Sequence, residues 1–204
     1  MKKRDYKEFG AGSITHVYNR GNNREKIFHN QQDYKAFLFR IGLALGFDQK
    51  ELNAEKLLSS PQSRIRIDSK KGLFRLHAFC LMPNHFHLLI EQLGDVSVSS
   101  FVSKVCTSYA MYINKKYNRV GHLFQDRFKA VPIVDDKQFM WISAYIHFNP
   151  KKDKLIKNLS EYSWSSYNDY ASKRGLVLVY KDLIEEVFDI NDFEREIIQF
   201  SKEQ

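Results

Sequence analysis

Residues 73–92 constrain the fold more than any other stretch. Two runs rich in aromatic and aliphatic side chains, 73–81 and 85–92, are separated only by Met82-Pro83-Asn84. That pattern predicts two antiparallel strands joined as a hairpin. Residues two apart on a strand share a face, so in His85-Phe86-His87-Leu88 the imidazoles stand side by side while Phe86 and Leu88 point the other way. Such a pair is half of a metal site. By itself the spacing more often describes two partly exposed histidines than a ligand pair.

Other elements follow from period and punctuation. Residues 14–20 read as a first strand ending at Gly21. Asn30 reads as a cap before Phe37, Leu38, Ile41 and Leu45 at helical spacing, with Gly46 as the stop. Residues 47–71 show no clean period, contain Ser59-Ser60-Pro61 and are taken as a loop or insertion. Residues 97–117 carry a helical stripe, and 127–133 alternate as a fourth strand in which Pro132 favours an edge or a strand end. Asp135 or Asp136 opens a helix through Phe139, Ile142, Tyr145 and Ile146 that Pro150 stops. Residues 176–180 suggest a short strand, and Asn191-Asp192-Phe193-Glu194 a capping box on a last helix. The sum is an α+β fold, an antiparallel sheet with helices packed on one face. One domain is expected over 1–170, with a C-terminal helical extension, 171–204, packed on it.

Charge points to a partner. The chain of 204 residues carries a formal +8, which suits a polyanion because basic surface releases counterions from phosphates, and equally suits an ordinary basic surface. Residues 63–75 hold Arg64, Arg66, Lys70, Lys71 and Arg75 against Asp68, five minus one or +4. This segment either grips a nucleic-acid backbone or is solvated. The N-terminus is charged with no apolar run after it, and no stretch approaches a bilayer span, so a cytoplasmic protein with no membrane partner is expected. Cys80 and Cys106 lack Cys-x-x-Cys spacing and read as buried thiols.

The candidate second half of the site is Tyr145-Ile146-His147-Phe148-Asn149-Pro150, where Tyr145 and Asn149 lie one helical turn apart. Tyr145 also falls on an apolar stripe, where aromatics usually pack. Tyr109 and Tyr112 compete as nucleophiles, but their i+4 positions are Ile113 and Lys116, and they read as core or DNA-facing aromatics. His147 lies on a different helix face from Tyr145 and reads as structural; His122 reads as a DNA contact or a plain loop residue. Arg20, Arg127 and Lys129 suit phosphate contacts, with surface solubility as the alternative. Phe124, Phe128 and Trp164 could stack on bases or pack in the core.

Four blocks carry a resemblance: 82–89 (Met-Pro-Asn-His-Phe-His-Leu-Leu), 121–129 (Gly-His-Leu-Phe-Gln-Asp-Arg-Phe-Lys), 145–150 and Trp164-Ser165-Ser166-Tyr167, preceded by an opening strand at 16–23. In this order they resemble the single-tyrosine HUH transposases, in the branch called REP-associated tyrosine transposases. The resemblance implies a ferredoxin-like sheet bearing His85 and His87 as metal ligands, Tyr145 as nucleophile and Asn149 as a polar residue on the metal side. It also implies DNA as substrate, single-stranded and often beside a hairpin. The insertion at 47–71 is longer than the family pattern.

The implied chemistry suits those residues. A phenol with a pKa of about 10 is a poor nucleophile until something favours its ionisation, and a divalent cation can polarise the phosphate. Attack would leave a 5′-phosphotyrosine and a free 3′ hydroxyl, so strands could be rejoined without a nucleotide cofactor. Two imidazoles alone suggest zinc, nickel or copper, whereas an amide oxygen, water and phosphate suit Mg²⁺ or Mn²⁺, and the resemblance favours the latter pair. The rivals are a non-cleaving nucleic-acid-binding module and a metal-dependent nuclease using water. A homodimer is left open.

Overall fold

A computed structural model describes residues 10–54, 71–171 and 174–202. Its centre is an antiparallel sheet of β1 (Ile14–Arg20), β2 (Phe74–Met82), β3 (His85–Gln92) and β4 (Lys129–Pro132), ordered β2-β3-β1-β4. Between β1 and β2 come α1 (Gln31–Leu45) and the short α2 (Gln49–Ala54), and between β3 and β4 comes α3 (Val98–Lys116). This β-α-β-β-α-β order is the ferredoxin-like arrangement. Beyond it lie α4 (Asp136–Lys152), α5 (Tyr167–Tyr170), α6 (Asp182–Val187) and α7 (Phe193–Lys202). Among the described residues, no helix is long and apolar enough to cross a membrane.

Local chemistry explains the boundaries. Asn30 caps α1 through its side-chain oxygen, which accepts from the Gln32 and Asp33 amides, while the Asp33 carboxylate accepts from the Asn30 amide. Gly46 ends the helix at φ 93°, a conformation glycine adopts without steric cost. The β2–β3 turn is Pro83-Asn84, and its carbonyls are bonded: that of Pro83 accepts from Ile27 and Phe28, that of Asn84 from Gly21. Gly21 has an unstrained φ of −61°, but a Cβ there would lie 2.2 Å from the Glu25 carbonyl oxygen. Gly21→Ala is therefore expected to cost about 2 kcal/mol, read as a lowered thermal midpoint.

The α+β antiparallel expectation holds. The crossover helices α1 and α3 share one face, where Phe37 meets Phe86 and Phe101 meets Phe74, ring centroids 5.0 and 4.9 Å apart. The helices do not all lie there, however. α4 covers the opposite face, because that face carries imidazoles and aromatics that need a partner of their own. α7 packs on α4 in turn, with Phe193 against His147 at 5.6 Å.

Three further details differ from the sequence reading. The run 47–71 is not irregular throughout: Asp48 and Glu51 exchange amide–carboxylate bonds of 2.8 and 2.9 Å, a capping box that starts α2. Residues 64 and 66 lie outside the described residues. Pro150 does not stop α4, which continues to Lys152, because Pro150 lies in the last turn and the carbonyls of Asn149 and Pro150 still accept from the Asp153 and Leu155 amides at 3.0 and 2.9 Å. Residues 176–180 form no strand, and only Val179 bridges to Leu76.

Candidate active site

Cross-strand register assembles the site. β1 pairs with β3 so that Tyr18 lies opposite His87 and Arg20 opposite His85, and β4 sets Lys129 opposite Tyr18. The pleat then puts His16, Tyr18, Arg20, His85, His87 and Lys129 on one face, the face α4 crosses. Tyr145 descends from α4 with its ring edge-on to His87, centroids 5.5 Å apart, and is stacked from behind by Trp141 at 5.6 Å. His85, His87, Tyr145 and Asn149 line one cleft of about 490 Å³. Arg20, Arg127 and Lys129 line the same cleft, so the candidate nucleophile, cation ligands and described phosphate contacts are brought together, whereas His122, Phe124 and Phe128 line a separate hollow.

The protonation states suit metal binding. His85 Nδ1 lies 2.7 Å from Asn84 Oδ1, and the Asn84 amide nitrogen donates to the Arg24 carbonyl at 3.1 Å. The Asn84 oxygen therefore accepts, His85 carries its proton on Nδ1, and Nε2 is left with a lone pair. Burial pushes the His85 imidazole down to about 4, with the Arg20 charge adding and Asp153 opposing. Burial alone takes His16 to about 4, and burial with the neighbouring His16, His85 and Arg20 holds His87 well below its ordinary value. Neutral imidazoles are what a cation requires.

Asn149 spends its amide nitrogen on the Tyr145 carbonyl, which leaves Oδ1 for a ligand. Among the described residues, no three His, Cys, Asp or Glu side chains stand close enough to hold an ion alone. Two imidazoles plus the Asn149 oxygen could hold an ion together, and an amide oxygen suits a hard cation.

Tyr145 is half-buried, and burial raises its phenol above the ordinary value; Asn149 and Arg20 pull it down, while Tyr18 and Asp153 push it up. The Lys152 ammonium sits 5.1 Å from its ring centroid. The rival tyrosines lie on the far side of the sheet. Tyr109 is fully buried and donates to the Ile27 carbonyl at 2.6 Å, and Tyr112 bonds Asp33. His147 is structural, as read, bonded to Ser166 Oγ at 2.8 Å. Trp164 stacks on Tyr34 at 4.5 Å and Phe124 meets Phe86 at 6.0 Å, so both pack inward. Cys80 and Cys106 are buried and free.

Sequence reasoning missed several residues of this neighbourhood. Tyr18, Lys152 and Asp153 line the cleft, and His16 bonds His87 behind it. For His16 and Tyr18 a signal existed, since they alternate with Arg20 on β1 as His85 does with His87. Using it required the β1–β3 register.

Comparison with known proteins bears on the fold and the family. A protein of Haemophilus influenzae named for the REP-associated tyrosine transposases is 26% identical over 106 residues, 47% of this chain and 60% of that protein. This chain therefore matches less than two thirds of that relative's length. A solved structure of a REP-associated tyrosine transposase bound to a REP hairpin has the same fold, with a TM-score of 0.59 at 20% identity and 93% coverage of both chains. The family described as IS200-like transposases matches residues 12–149, more than half of the sequence, and the chain belongs to that family.

Proposed function

We propose that this protein nicks and rejoins single-stranded DNA beside hairpins, through a covalent 5′-phosphotyrosine on Tyr145, with Mg²⁺ or Mn²⁺ held by His85, His87 and Asn149. The observation that carries the reading is the position of Tyr145, edge-on to His87 at 5.5 Å in the cleft that His85 and Asn149 also line. Family membership supports the transposase class of chemistry.

Tyr145 Oη attacks the scissile phosphorus, gives up its proton, and forms the bond from tyrosine oxygen to the 5′ phosphate. The bond to the 3′ oxygen breaks and that oxygen takes up a proton. When bound, the cation supplies charge withdrawal from the phosphate and orientation of the scissile bond. Burial disfavours the phenolate of free Tyr145, so Asn149 and Arg20, the groups that lower its pKa, favour the attacking form. Lys152 over the ring adds positive charge nearby. A later 3′ hydroxyl reverses the step and joins strands, since the phosphodiester energy stays in the tyrosine link.

The test is hairpin-flanked single-stranded DNA labelled at its 3′ end, run on a denaturing gel. A labelled band linked to protein is expected. Cleavage with only free ends would mean hydrolysis by water, and intact DNA with retained binding would mean a non-cleaving module.

Binding should be carried by phosphates. A plot of log affinity against log salt is expected to be linear, and replacing Arg20, Arg127 and Lys129 by Ala should flatten the slope by about 2, at ~0.7 per phosphate contact on a single strand. Arg64 and Arg66 are proposed as further contacts, and Ala at both should remove about 1.4 more. An unchanged slope in either variant would remove those residues from the interface.

A further inference from the structure

The two histidines of the cleft are each held at Nδ1, by different partners. Asn84 holds His85 through the turn between β2 and β3. His87 is held by His16, whose Nε2 lies 2.9 Å from His87 Nδ1 in a bond buried from solvent. His16 comes from β1, two residues before the Tyr18 that faces His87 across the strands. It is itself fixed, stacked on Tyr18 with centroids 5.1 Å apart and on His87 at 5.1 Å, while Tyr145 stands edge-on at 6.3 Å.

We infer that His16 is a positioning residue of the cation site: by occupying Nδ1 of His87 it fixes that ring's orientation and leaves Nε2 as the nitrogen that faces a ligand. This rests on the reading of His85 and His87 as ligands. An imidazole with one nitrogen bonded can offer only the other, and the partner of the first decides which tautomer is held. For Nε2 of His87 to ligate, its proton must be on Nδ1, where His16 Nε2 accepts it. His16 then keeps its own proton on Nδ1, and the pair is balanced with no net charge. The site is in this way built from three imidazoles, two that meet the cation and one that aims the second of them.

The chemistry also says which replacements preserve the function. The amide oxygen of Gln reaches about where His Nε2 does and accepts a hydrogen bond, so His16→Gln should keep the aim. His16→Leu fills similar space and accepts nothing.

Mn²⁺ alone is titrated into DNA-free protein, followed by electron paramagnetic resonance, with His87→Ala as the control that lacks a ligand. Wild type and His16→Gln are expected to bind with similar affinity, and His16→Leu to bind 10- to 100-fold more weakly, the usual loss for a partner that orients a metal ligand. Nitrogen-15 shifts of Mg²⁺-loaded wild type should show His87 protonated on Nδ1. Equal affinity of His16→Leu and wild type would overturn the inference while leaving the cation site intact. Should His16→Leu not fold, a folded His16→Gln that has lost Mn²⁺ binding would overturn it as well. Wild type indifferent to Mn²⁺, or His87 protonated on Nε2, would overturn the cation site and the inference with it.

Discussion

Tyr145→Phe is expected to lower the rate of nicking by ~10³-fold or more and to leave hairpin-DNA affinity within about twofold. The loss is large because the nucleophile itself is removed, and the other hydroxyl on α4, that of Ser143, is fully buried. Binding survives because the ring stays: Phe can still stack on Trp141 and present its edge to His87, contacts that Tyr145 makes at 5.6 and 5.5 Å. Tyr18 gives the sharper control, since it lines the same cleft and stacks on His87 at 5.6 Å. Tyr18→Phe should still form the protein–DNA band. Were Tyr18→Phe inactive and Tyr145→Phe active, the nucleophile would belong to β1. Tyr109→Phe should cleave normally and lose only about 1 kcal/mol of stability with its bond to Ile27.

The second large effect concerns acid. His16 and His85 are pushed down to about 4, His147 to about 3, and His87 well below its ordinary 6.5, all mainly by burial. Unfolding returns each to water, where it binds a proton near pH 6.5, so below that pH the unfolded chain holds more protons than the folded one. Stability is therefore complete above pH 6.5 and falls as pH drops toward 4. At pH 5 a histidine held at about 4 or lower, as His16, His85 and His147 are, costs about 2 kcal/mol. The neighbours His16, His85 and His87 do not add fully, but two independent groups already remove about 4 kcal/mol from the 5–15 typical of a domain. Urea midpoints should fall steeply between pH 6.5 and 4.5. A flat profile down to pH 5 would mean that these imidazoles are charged or solvated in the folded protein.

Much of this was legible beforehand, for reasons that differ by residue. The hairpin and its His-x-His pair follow from strand alternation and one Pro-Asn turn, and they stand where expected. Tyr145 and Asn149 were readable as one helical turn, and His147 as a separate face. What the sequence could not show was which strand lies beside β3, because pairing is decided by long-range packing and not by local period. His16 and Tyr18 went unnoticed for that reason, although their alternation is as clear as that of the hairpin. α2 was hidden because a six-residue helix is too short for periodicity, and only its Asp-x-x-Glu box announces it. The path of α4 through Pro150 is completed by backbone bonds from the Asp153 and Leu155 amides beyond it, which no propensity contains.

The β1–β3 register has an evolutionary consequence. Because His85 and His87 share the strand with Phe86 and Leu88, one inserted or deleted residue in β3 would turn the imidazoles into the α1–α3 core and the phenylalanine out to the cleft. Chemistry and folding would fail together. Descendants that give up cutting DNA but continue to bind it can therefore arise by substitution at single positions, such as Tyr145, and hardly ever by a change in strand length. Across such a lineage the spacing of this strand should outlast the activity it once served.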